Sequence, residues 1–129
     1  MIKLKEVIKR YNSLAKLSQK KLPIKIGYAV SKNLTILQEE CRLIEESRVN
    51  ILKNYAQKDE KGNPIIENGC YQLGDSQSDF NKEYQDYLET DIDIETYQIE
   101  ESELDKLDDD RYDILTASEL LGIEFLFKN

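Results

Sequence analysis

Apolar residues along the first sixty positions recur with two different periods. In KLPIKIGYAVSKNLTIL, residues 21–37, Ile24, Ile26, Tyr28 and Val30 alternate with Lys25, Gly27 and Ala29, as in a strand. In the same stretch Ile26, Val30, Leu34 and Leu37 step by four, four and three, as on one face of a helix. The helical reading extends further. Val30, Leu34, Leu37, Cys41, Ile44, Ile51 and Tyr55 hold a seven-residue register, with Arg48 at the position where the register calls for an apolar residue. Ile36, Leu43, Val49 and Leu52 widen the stripe. Four alternating residues arise often by chance, whereas a register kept to Tyr55 does not, so the pattern predicts one helix over 24–57. Pro23 suits its start. Gly27 marks either a close helix–helix approach or a frayed first turn. At 1.5 Å per residue the helix is roughly 50 Å long.

Upstream, Leu4, Val7, Ile8, Tyr11, Leu14, Ala15 and Leu17 form a second helical stripe, predicting a helix over 2–20. The link to Pro23 is short, which folds the two helices into an antiparallel hairpin. The first helix covers only half of the second. Arg48 on the stripe needs a carboxylate, expected from the C-terminal third because Glu45 and Glu46 lie on an adjacent face.

Residues 58–78 break the pattern. Asn68-Gly69 between Ile65-Ile66 and Cys70-Tyr71 is the signal of a two-residue β-hairpin. Ser76 or Ser78 then caps a third helix, 79–89, carrying Phe80, Tyr84, Tyr87 and Leu88 to cover the rest of the long helix. TDIDIETYQIE, residues 90–100, alternates Ile92, Ile94 and Thr96 with acids and reads as a half-buried strand. Ser102–Leu107 holds at most a turn of helix. Thr116 and Glu119 form a capping box opening a short C-terminal helix. The expected fold is mainly α (α+β) in a single domain, 1–129: a helical hairpin (1–57), a turn and hairpin (58–78), then a helix, an acidic strand and a C-terminal helix (79–129).

Composition narrows the chemistry. The 129 residues include no His and no Trp, and two cysteines, Cys41 and Cys70, outside any CxxC spacing. Without His the commonest general base and metal ligand are missing. No glycine-rich phosphate loop, nucleophile elbow or metal set is present. Asp105 to Asp110 only superficially resembles a calcium loop, since it lacks the glycine and glutamate that such a loop needs. The reading is a non-enzyme without cofactor or metal. The Lys-rich N-terminus lacks the apolar run and cleavage site of a signal peptide, and no window is apolar enough to span a membrane. The expected location is therefore the cytoplasm, with both thiols reduced.

The net charge of −8 is unevenly spread. Residues 1–32 carry nine basic residues against Glu6 alone, and residues 89–129 carry fourteen carboxylates against Lys106, Arg111 and Lys128. Such a split serves a partner, or is satisfied within the fold or between subunits. The candidate contact face is acidic: Asp91, Asp93, Glu95, Glu100, Glu101, Glu103, Asp105, Asp108, Asp109, Asp110 and Asp113. Its alternative readings are a nucleic-acid mimic or a merely solvated surface. The Lys-rich first helix offers a nucleic-acid backbone contact, with no reading face beside it.

The blocks LKEVIKRYNSLAKLSQKKLPIKIGYAVSKNLTILQEE, KNYAQKDEKGNPII, FNKEYQDYLETDIDIE and LTASELLGIEFL resemble, in this order, a family of small uncharacterised proteins from phages and prophages of Gram-positive bacteria. The likeness includes the Lys-Leu-Pro link, the acidic Ile-rich segment and the capped C-terminal segment. It implies a phage origin and no mechanism; phage accessory proteins of this size act by contact with virion components or with a host enzyme. The acidic balance of residues 89–129 and the absence of catalytic chemistry point to protein–protein contact that inhibits or redirects a host or anti-phage defence protein. The alternatives are a virion-assembly factor oligomerising through the hairpin, and a nucleic-acid binder.

Overall fold

The long register wins. In the computed structural model, which describes residues 1–128, Ile24–Tyr55 form one helix, α2. Asn129, the end of the expected third block, lies outside the described residues. The helical hairpin forms as the spacing predicts: α1, Leu4–Leu17, packs on the first half of α2. Leu4, Val7, Leu14 and Leu17 of α1 meet Ile26, Ala29, Val30, Leu37 and Ile44 of α2 in one core. Of the seam residues, Val30, Leu37 and Ile44 are buried there, and Leu34 and Cys41 pack at its edge. Ile51 and Tyr55 belong instead to a second, smaller cluster around Ala56, Leu73 and Phe80. Leu43, placed on the widened stripe by sequence, is exposed.

Gly27 has neither expected role. A Cβ there would meet nothing within 4 Å, so no helix approaches it closely. Its N–H donates to the Pro23 carbonyl at 2.9 Å, so the first turn is formed.

Helix α1 starts two residues late because Ile2–Lys3 form a strand, β1. This pairs antiparallel with β4, Asp91–Ile92, matching Ile2 with Ile92. The hairpin at Asn68-Gly69 forms between β2, Ile66–Glu67, and β3, Cys70–Tyr71. Asn68 and Gly69 both take positive φ, 52° and 78°, as a primed turn demands. Helix α3, Gln77–Leu88, covers the second half of α2. Ser76 precedes it without a side-chain cap bond.

The expected strand 90–100 is a correction. Only Asp91–Ile92 pair as strand. Beyond them the chain is an extended strap whose exposure alternates through Tyr97, but no neighbouring strand accompanies it. Its backbone finds partners elsewhere: Ile99 exchanges hydrogen bonds with Leu126 and Lys128 at 2.8 and 2.9 Å. Glu101–Leu107 form a 3-10 helix of about two turns, more than the single turn expected there, and α4, Ala117–Gly122, follows with its capping box intact. Ile99, Ile123, Leu126 and Phe127 close the main core. No helix among the described residues is long and apolar enough to cross a membrane.

Replacing Leu37 with Asp places an unpaired charge where the native side chain is fully buried. It should lower the thermal midpoint by more than about 10 °C. Lys32→Asp, on the exposed face, should move it by less than about 3 °C. Equal shifts in the two variants, read by circular dichroism melting, would contradict this packing.

Candidate functional site

One polar side chain sits inside the hairpin core. Asn33 of α2 is fully buried, seven residues after Ile26 and between Val30 and Leu37. Its Nδ2 donates to the Ala29 carbonyl and to the Tyr97 carbonyl, each at 2.8 Å. Its Oδ1 accepts the Tyr97 N–H at 2.8 Å. The carboxamide thus serves as the strand neighbour that Tyr97 lacks. A buried amide left unpaired would be costly, whereas this one uses both its protons and its oxygen. The clamp fixes the middle of the acidic strap against α2.

The rest of the C-terminal third is tied down by the basic N-terminal third. Lys5 Nζ donates to Glu89, and Lys3 lies 3.3 Å from Glu89 and 3.7 Å from Asp91. Lys25 and Lys106 hold Glu103 at 3.5 and 2.7 Å. The Lys21 N–H donates to Asp113 at 2.7 Å, and Lys20 reaches Glu119 at 3.1 Å. Much of the charge split seen along the chain is therefore resolved within the fold.

These contacts shift the carboxyl groups. The Lys106 hydrogen bond, joined by Lys25, holds Glu103 below the usual glutamate range against an opposing effect of burial. Glu89 is lowered by hydrogen bonds from Lys5 and Lys3. Glu119 is lowered first by the Thr116 N–H of the capping box and then by Lys20.

Five of the eleven acids expected on the contact face are engaged. Asp91, Glu103 and Asp113 bind the N-terminal third, Glu100 lies 3.4 Å from Lys128, and Asp109 is held by Arg111 at 3.0 Å. The other six, Asp93, Glu95, Glu101, Asp105, Asp108 and Asp110, are exposed and carry no ion pair among the described residues. Both basic residues within 91–113, Lys106 and Arg111, are paired, so this remaining charge is uncompensated locally. Among the described residues no three Cys, Asp or Glu side chains converge on a point that would hold a metal ion.

Arg48 departs from expectation. Its partner is Glu45, through Nε at 2.9 Å and Nη2 at 2.6 Å, not a C-terminal acid. Arg48 lies at the edge of the stripe and is partly exposed, so its guanidinium swings back one turn to a neighbour at i−3.

Sequence reasoning missed Asn33. The available signal was an amide three and four residues from apolar stripe positions, as with the register-setting asparagines of coiled coils. The chain matches no family model, no curated protein and no solved structure in comparisons with known proteins.

Two measurements test this geometry. Asn33→Leu leaves the Tyr97 N–H and carbonyl without their partner and should cost about 2–5 kcal/mol in urea unfolding. A loss below about 1 kcal/mol would mean that the clamp is dispensable. Because Glu103 has its lower value in the folded state, its ionisation stabilises above about pH 4.3 and ceases to do so as pH falls through the lowered value. Glu103→Gln should therefore melt below the parent at pH 6 and converge with it near pH 3. A gap that persists near pH 3 would contradict the assignment.

Proposed function

We propose that this chain is a phage-encoded accessory protein that works by protein–protein contact, presenting its acidic strap and the following turn to a basic surface on a host or anti-phage defence protein and so inhibiting or redirecting it. The observation that carries this reading is the charge left after folding. Six carboxylates between Asp93 and Asp110 remain exposed without an ion pair among the described residues, on a segment anchored by Asn33 and Glu103. Anchoring matters because a fixed row of charge steers and orients a partner with a smaller ordering cost than a loose tail.

The other readings have less behind them. Oligomerisation through the hairpin would need its apolar seam, yet Val30, Leu37 and Ile44 are buried within this chain. Nucleic-acid binding would need the lysines of the N-terminal third, yet Lys3, Lys5, Lys20 and Lys25 are engaged by the chain's own acids.

Immobilised protein should capture a basic partner from host lysate at low salt and release it as salt rises. A variant with Asp93, Asp105, Asp108 and Asp110 changed to Asn, and Glu95 and Glu101 changed to Gln, should fold normally and capture at least tenfold less. Capture of nothing at either salt, or equal capture by both proteins, would refute the proposal.

A further inference from the structure

Beside the strap, a groove of about 430 Å³ runs between the first turn of α2 and residues 97–103. Ile24, Tyr28 and Tyr97 contribute its apolar surface, with 82 %, 52 % and 39 % of their areas exposed. Single exposed apolar residues are ordinary on protein surfaces; three lining one groove are not. The two tyrosine rings meet edge to face, with centroids 5.3 Å apart and planes at 80°. Such pairing fixes their relative orientation. Tyr97 is fixed a second time through its backbone, by the buried carboxamide of Asn33. The fold thus commits a fully buried polar group to positioning a residue whose ring faces outward.

The charges on the groove's rim are already matched. Lys25 lies 3.5 Å from Glu103, and Lys128 lies 3.4 Å from Glu100. With these ions paired to one another, the groove offers apolar contact and little to orient a small polar ligand. Unmatched charge lies immediately beyond it. Exposure alternates along the strap, which places Asp93 and Glu95 on the same outward side as Tyr97. At the rise of extended chain Glu95 stands about 7 Å from it and Asp93 about 13 Å.

We infer that this groove, on the contact reading proposed above, receives the anchor of the protein partner: one aromatic or large aliphatic side chain in an extended segment bearing Lys or Arg two and four residues away. The apolar anchor packs against Ile24, Tyr28 and Tyr97. The basic residues meet Glu95 and Asp93, because two extended chains lying side by side share the same rise per residue. Rigid, partly exposed tyrosines are the residue type around which binding energy concentrates, and flanking charge supplies steering and register.

The absence of Trp from the chain gives a clean probe. A nine-residue peptide with a central Trp and Lys two and four positions to either side presents the anchor and its charges in both directions. Titrated with the 129-residue chain at low salt, its Trp emission should shift to the blue and saturate. Tyr97→Ala and Ile24→Ser should each weaken binding at least tenfold while leaving the circular dichroism spectrum unchanged. The Asp93→Asn, Glu95→Gln double variant should weaken it at least threefold, and the peptide with Glu in place of Lys should not bind. No saturable shift would overturn the inference. So would binding that follows the carboxylates but ignores Tyr97 and Ile24, a result that leaves the acidic contact standing and removes only the groove. Binding that follows the tyrosine but ignores the carboxylates would overturn the basic occupant. The failure of the broader reading shows separately, as loss of the carboxylate dependence of partner capture.

Discussion

A buried amide with no free hydrogen-bonding group is the constraint on which the C-terminal half of this protein depends. Asn33 is enclosed by the hairpin core, where an unmatched carboxamide would be expensive. Ala29 of its own helix accepts one proton, and Tyr97 matches the rest by coming to it with both backbone groups. That pairing sets the path of the strap. Upstream, it follows the Ile2–Ile92 pairing; downstream, it delivers Ile99 to its exchange with Leu126 and Lys128. Ile99, Leu126 and Phe127 can then complete the core that α1 and α2 begin. A polar residue in the seam thereby specifies which segment covers it, as packing of apolar surface alone would not.

The charge layout works with this constraint and not in place of it. Exposed ion pairs contribute little individually, so Lys3, Lys5 and Lys25 do not hold the strap by strength. Their role is orientation: they set the acidic segment against the basic end of the chain. The strong asymmetry seen along the sequence is in part a folding complement. What is available to a partner is the remainder after internal pairing, and that remainder lies along a segment whose position Asn33 fixes. Glu103 shows the division clearly, since its burial and two lysines make it part of the scaffold although its sequence neighbours Glu101 and Asp105 face solvent.

Much of the scaffold was legible because it rests on local rules. The register through Val30, Leu37 and Ile44, the Asn68-Gly69 turn and the Thr116–Glu119 capping box each follow from residues close in sequence. What escaped depends on contacts between distant segments. The alternation at Ile92, Ile94 and Thr96 does report extended chain with one face inward, but periodicity cannot say whether a strand or an asparagine side chain satisfies its backbone. The start of α1 shifted because Ile2 found Ile92, ninety residues away. Arg48 escaped because its burial was overestimated from its place on the stripe; a partly exposed arginine reaches its own helix neighbour. Of the acidic face, the segment was visible in composition, whereas which five carboxylates the fold consumes was not.

Amide hydrogen exchange at Tyr97, followed by NMR on the unmodified protein, tests the central claim most directly. If Asn33 pairs with the strap, this one amide should exchange as slowly as the core amides of α2 around Val30, far slower than the exposed amides of Glu95 and Asp93. Exchange at Tyr97 as fast as at those neighbours would show that the strap is not clamped, and the fixed acidic face built upon it would fall.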